Sequence, residues 1–104
     1  MTPGTPGRYF LAEKLRPAVV LDEYPAGVLH VAIGTTRKPA TRPGVAFDAL
    51  QPNQPDGYKL GLAAPTYFYE GCLAVIPAAE FQRQPGTNVC SEPLVVRLKM
   101  LLQL

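Results

Sequence analysis

The apolar positions of this chain come in short runs separated by turn residues, the pattern of strands rather than of long helices. "PAVVLD" (17–22) is a β-branched run and predicts a buried strand. "VLHVAIG" (28–34) predicts a second. Between them "EYPAG" supplies a turn, with Pro25 and Gly27 in hairpin-like positions, so the two strands should pair antiparallel. "VAFDALQ" (45–51) predicts a third strand, and "TYFYEGCLAVIP" (66–77) a strand or a strand–bend–strand. "AAEF" fits a one-turn helix after Pro77. "RYFLAEK" (8–14) fits either a short strand or a turn of helix, and residues 1–7 an extended or loose lead-in. Residues 1–14 are therefore expected to form an irregular N-terminal segment.

The polar stretches fall between these runs. "TTRKPATRPG" (35–44) carries Arg37, Lys38 and Arg42 and predicts a solvated basic loop; "PNQPDGYKLG" predicts a second polar loop. The period changes only at the tail, 91–104. There Ser91 can cap, Glu92 suits the positive end of a helix, and Pro93 is tolerated in a first turn. Leu94, Leu98, Leu101 and Leu102 then recur at helical spacing. Val95, Val96, Met100 and Leu104 make this helix apolar on more than one side, so one face should pack on the sheet and the rest suggests a partner subunit. The architecture expected from the pattern is one domain, 1–104: a small, mostly antiparallel, barrel-like sheet closed by a C-terminal helix.

Composition narrows the classes of function. Of 104 residues 17% are charged, and the formal net charge is only +2, so any nucleic-acid partner must be held by a local cluster. No apolar run approaches the ~20 residues of a membrane span. The start, "MTPGTPGRYF", lacks the layout of a secretory signal, so a cytoplasmic protein with no membrane partner is expected. Cys72 and Cys90 can pair, but in a reducing compartment two small buried thiols are the expectation. His30 is the one histidine and no CxxC spacing exists, which argues against a zinc site.

The usual catalytic constellations are missing. No Ser/His/Asp set, phosphate-binding loop or paired-carboxylate spacing occurs, and the acidic residues are scattered. In the second strand, alternation places Val28, His30 and Ala32 on one face and Leu29, Val31 and Ile33 on the other. His30 thus points away from Thr35 and is expected to be structural. What remains is cationic and hydroxylic. Arg16 stands at the start of one strand, Thr35 and Thr36 at the end of the next, and an antiparallel pair lays these ends side by side. A guanidinium, hydroxyls and the nearby Arg37, Lys38 and Arg42 make either a phosphate cradle or a solvated rim. Thr66 can add a hydroxyl there or cap its own turn. Tyr67 and Tyr69 share a face opposite Phe68, for stacking on bases or for packing.

The ordered set "RPAVVL", "VAIGTT" and "KLGLAAPTYFYEGCLAVIP" resembles the MazF/PemK toxin family from Arg16 to about Phe81. The resemblance implies a small SH3-like, partly open antiparallel β-barrel (MazF/PemK/CcdB-like) with a C-terminal helix, working as a homodimer. It implies a metal-independent, cofactor-free endoribonuclease of the mRNA-interferase type that cuts single-stranded RNA and is neutralised by a cognate antitoxin protein. The family's catalytic arginine falls on Arg16 and its catalytic threonine on Thr35. Thr36, Arg37, Lys38 and Arg42 would then contact RNA. A non-catalytic module on the same fold, binding a protein or a nucleic acid, stands beside this as the alternative.

Overall fold

A computed structural model of the chain describes residues 1–37, 47–86 and 88–104. Among these residues seven strands, two α-helices and one 3-10 turn succeed one another: β1 (Pro6–Leu11), β2 (Lys14–Tyr24), β3 (Val28–Ile33), β4 (Phe47–Leu50), α1 (Pro55–Lys59), β5 (Thr66–Tyr69), β6 (Leu73–Pro77), the 3-10 turn Ala78–Glu80, β7 (Gln82–Arg83) and α2 (Glu92–Leu101). Five strands form an antiparallel sheet in the order β6-β3-β2-β1-β7, and β4 and β5 form a separate antiparallel pair. Among the described residues a single bridge, between Thr35 and Tyr67, joins the two sheets. Among the described residues the strand pairing does not close into a barrel.

The β2–β3 hairpin forms as its sequence predicts. After Pro25, Ala26 and Gly27 both take positive φ, 68° and 72°, which tightens the reversal at the point where glycine is tolerated best. One irregularity has consequences. The register runs Asp22↔His30 and then Val20↔Val31, so Leu21 is an extra residue forming a β-bulge. It remains fully buried.

Both faces of the sheet are covered. On one face Val19, Leu21 and Ala32 pack with Leu50 and Phe68 of the small sheet and with Leu94, Val95, Leu98 and Leu102 of the tail. On the other, Ala18, Val20, Leu29, Val31 and Ile33 meet Ile76 and Phe81. Neighbouring residues of β2 thus enter opposite cores, which is why its run is continuously apolar rather than alternating. Three polar ties fix α2. Asp56 of α1 accepts from the Ser91 backbone N–H at 2.8 Å and its hydroxyl at 2.6 Å. Arg97 pairs with Asp48 and Lys99 with Asp22, each at 2.8 Å. Ser91 also caps the helix through Leu94 N–H, as expected from its position.

Three sequence expectations are corrected. The N-terminal segment is neither loose nor irregular: β1 pairs with β2 over Pro6↔Val19 to Leu11↔Lys14, and Gly4 to Gly7 are buried. Gly4 N–H donates to Val20 O at 2.7 Å and Val20 N–H to Thr5 O at 3.0 Å, so backbone pairing, invisible in the residue types, holds this segment. The polar stretch after Gln51 contains the short helix α1, started by Pro55 in its first turn. The stretch 66–77 resolves as strand–bend–strand, the bend lying at Gly71 with φ 96°. The tail helix ends at Leu101 rather than running to Leu104. No helix among the described residues is long and apolar enough to cross a membrane.

Candidate functional site

The bulge at Leu21 decides what stands beside Arg16. Above it, the paired positions of β2 and β3 continue Val19↔Ala32 and Ala18↔Ile33, and Gly34 N–H donates to Pro17 O at 2.8 Å. Arg16 and Thr35 are the next residues along, beyond the paired positions, and Thr35 bridges instead to Tyr67. Had Leu21 been paired, the progression from Asp22↔His30 would have set Arg16 opposite Thr36 and turned Thr35 toward Pro17.

Arg16 and Thr35 line one cleft of about 470 Å³, together with Lys14, Leu15, Pro17, Gly34, Thr36, Arg37 and Tyr69. Arg16 is half-buried and its Nε donates to Leu11 O at 3.1 Å, on the neighbouring strand β1. Among the described residues it forms no ion pair. With its Nε held at Leu11, the guanidinium keeps its outer nitrogens as donors for a ligand in the cleft that Arg16 lines. Thr35 is held on both sides of its backbone by Tyr67, at 3.0 and 2.7 Å. Its Oγ1 accepts from Arg37 N–H at 3.2 Å, which leaves the hydroxyl proton available to donate outward.

The ground under Thr35 is tightly fitted. A Cβ built on Gly34 would lie 2.4 Å from Thr66 Cγ2 and 3.2 Å from Phe68 Cζ. Only glycine lets β3 pass this close to β5, and that proximity carries Tyr69 to the cleft. Thr66 itself is buried and donates to Ala64 O at 3.2 Å. It serves its own turn and stays out of the cleft.

A smaller cavity of about 180 Å³ adjoins the first and shares Arg16, Gly34, Thr35 and Tyr69 with it. Leu11, Ile33, Leu73 and Ala74 give it apolar walls, and Cys72 lies in it. Burial pushes the Cys72 thiol up, against the opposing effects of a backbone hydrogen bond at Tyr69 and the charge of Arg16. Neither cysteine is in a disulfide; Cys72 is half-buried and Cys90 buried.

Of the residues singled out by sequence, the structure brings together Arg16, Thr35, Thr36 and Arg37. Lys38 and Arg42 lie outside the described residues. Pattern reasoning missed Lys14, which faces the cleft because β2 begins two residues before Arg16, and left Tyr69 undecided between stacking and packing. Tyr67 sits edge-on to Phe47 with ring centroids 6.0 Å apart. His30 is absent from both cavities: its ring lies 4.5 Å from that of Tyr24, and its Nδ1 has no partner among the described residues.

The chemistry of the larger cleft is cationic. Lys14, Arg16 and Arg37 line it, with two threonine hydroxyls and a tyrosine, and no carboxylate or imidazole is among the lining residues. Among the described residues no group of His, Cys, Asp and Glu is placed to hold a metal ion. Such a site can bind an anion and stabilise negative charge as it develops. Compared with protein-family models the chain matches none, and a search of curated proteins finds no match either.

Proposed function

We propose that this chain is a MazF/PemK-like toxin, a metal-independent endoribonuclease that cleaves single-stranded RNA at the cleft between Arg16 and Thr35. The observation carrying the proposal is that the guanidinium and the hydroxyl named by the resemblance line one cleft. On this reading the two sheets hinged at Thr35 and Tyr67 are the halves of a partly open SH3-like barrel. The exposed Val96, Met100 and Leu104 of the tail would serve a second copy of the chain, and a cognate antitoxin protein would cover the cleft.

RNA brings its own nucleophile, so the site needs neither a serine nor a cysteine attacker. The 2′-oxygen bonds to the adjacent phosphorus and the bond to the 5′-oxygen breaks, giving a 2′,3′-cyclic phosphate and a 5′-hydroxyl. The proton of the 2′-hydroxyl passes to water, and water returns one to the leaving oxygen. Arg16 neutralises charge on the non-bridging oxygens while Thr35 donates to one of them. A preorganised donor of this kind is typically worth ~3 kcal/mol of barrier. Lys14 and Arg37 hold the flanking phosphates and make binding salt-dependent.

One observation favours a second reading. Among the described residues the cleft is lined by no carboxylate or imidazole, the ordinary proton acceptors. A module that binds a nucleic acid or an acidic protein through the same cleft, without cutting, needs none.

The two readings separate in one experiment. Purified protein is incubated with mixed-sequence single-stranded RNA in EDTA, beside Arg16→Ala and Thr35→Ala. Cleavage by the parent, yielding cyclic-phosphate ends and lost in both variants, is the expected result. RNA that is bound but left intact would establish the binding module instead.

A further inference from the structure

The tip of the β1–β2 hairpin carries a surface that the cleft does not use. Among the described residues, pairing of β1 with β7 ends at Arg8 and pairing of β2 with β3 ends at Ala18. The β1–β2 pairing itself continues to Leu11↔Lys14, so the hairpin runs past both neighbouring strands as a two-stranded ribbon. Its end is apolar and open: Phe10 is 60% exposed, Leu15 50% and Leu11 45%. Phe10 stands opposite Leu15, and alternation turns Leu11 to the other face. Large apolar side chains grouped in this way on a surface mark a place of contact.

Two features restrict what covers the tip. Apolar side chains leave both faces of the ribbon, whereas a protein surface laid against a sheet covers one. The second feature is layering. Leu11↔Lys14 and Phe10↔Leu15 are the outermost pairs, and Tyr9↔Arg16 is the next. Residues along a strand are spaced about 3.4 Å, so the Tyr9–Arg16 row stands about 7 Å behind the first. Tyr9 packs on the second core and fixes that row to the body of the protein. An apolar tip backed at this depth by tyrosine and arginine matches the edge of a bilayer. Peripheral apolar faces enter that edge by about 5–10 Å, and tyrosine favours the headgroup level. Lys14 can lay its stem along the tip with the ammonium drawn back to the headgroups.

We propose that the β1–β2 tip is a peripheral docking element for an anionic lipid surface. Phe10, Leu11 and Leu15 enter the acyl boundary, while Lys14 and Arg16 hold lipid phosphates. A contact of this kind needs no apolar run of membrane-spanning length. It stands independently of the ribonuclease reading, and RNA cleavage is not its readout.

The chain contains no tryptophan, so Phe10→Trp places a single reporter at the tip. Its emission is followed on titration with vesicles of mixed phosphatidylglycerol and phosphatidylcholine, and with vesicles of phosphatidylcholine alone. The mixed vesicles are expected to shift the emission to shorter wavelength, and lipids brominated near the headgroup end of their chains to quench it. Flotation of the parent chain with the mixed vesicles measures affinity. Leu15→Ser should weaken it about tenfold, the loss expected for one large apolar side chain. Lys14→Gln should weaken it about fivefold, the loss expected for one cation at an anionic surface. Glu13→Gln, which removes the acid of the turn, should strengthen it. A thermal melt checks that each variant is folded. An unshifted emission, equal binding to the two kinds of vesicle, or flotation unaffected by Leu15→Ser overturns the proposal. So does a dimer in sedimentation that Leu15→Ser dissolves and the mixed vesicles leave intact, which would assign the tip to a second copy of the chain.

Discussion

Arg16 Nε donates to the Leu11 carbonyl at 3.1 Å, so the guanidinium is gripped from the strand beside its own. Between the two lies the turn Ala12–Glu13, where both residues take positive φ, 51° and 63°. This two-residue reversal matches the right-handed twist of the hairpin, though Ala and Glu occupy positions where glycine or asparagine is more comfortable. The fold thus accepts local strain in a turn that sets the Leu11 carbonyl against Arg16 and orients its free nitrogens.

Arginine at this position should not be replaceable by lysine. Arg16→Lys keeps the charge but has neither an Nε to meet Leu11 nor a planar fork for two phosphate oxygens. Single-turnover cleavage of RNA is expected to fall by about 10²-fold or more, while stability stays within about 0.5 kcal/mol, the range of surface substitutions. Cleavage kinetics together with a thermal melt check both halves. Full activity in the lysine variant would mean that charge alone suffices.

For Thr35 the hydroxyl, rather than the shape, should carry the effect. Thr35→Val removes the donor and also the acceptor used by Arg37 N–H. Cleavage should drop by about 10²-fold, as for other preorganised donors. Thr35→Ser, which keeps the hydroxyl, should recover most of the rate. A valine variant as active as the serine one would remove Thr35 from the chemistry.

Gly34→Ala tests the close approach that places Tyr69. The new methyl would stand 2.4 Å from Thr66 Cγ2, and Thr66 is itself buried. Overpacking of this kind typically costs about 1–3 kcal/mol, measurable as a lowered urea midpoint. Because the strain falls between β3 and β5, cleavage should decline even under conditions where the variant remains folded.

Cys90 predicts a pH dependence of stability. Burial raises its thiol from 9.0 to about 12 in the folded chain, with Asp56 adding to the shift and Lys59 opposing it. The unfolded state therefore loses this proton first as pH rises past about 9. The stabilisation is complete below that pH and is lost progressively toward about 12. The slope reaches at most about 1.4 kcal/mol per pH unit. Denaturant unfolding between pH 8 and 10.5, parent against Cys90→Ala, measures it as a difference in slope. Parallel curves would show that the thiol titrates alike in both states.

Much of the scaffold was legible because its determinants act over a few residues. The reversal at Pro25–Gly27, the strands flanking it and the Ser91 cap each depend on neighbours that the chain order already supplies. Arg16 and Thr35 were expected together for the same reason, since a hairpin propagates its register outward from the turn. The N-terminal strand was legible only as one of two readings, a short strand or a turn of helix over 8–14. "PGRYFL" has no alternation of its own and becomes a strand through six pairings with β2.

The sequence by itself determined that this is a mainly β chain with a capped C-terminal helix, and that an arginine and a threonine end up near one another. Tertiary structure decided the irregular register between them and what else lines the cleft. The two cores take Val19 and Leu21 on one face and Ala18 and Val20 on the other, a demand the bulge at Leu21 accommodates while Asp22 stays level with His30. That demand comes from residues as distant as Leu94 and Ile76, and no local pattern encodes it. The same holds for Lys14, Tyr69 and Cys72, which reach the site from three separate parts of the chain. Local chemistry sets the turns and caps, and long-range burial sets the register, on which the geometry of the cleft depends.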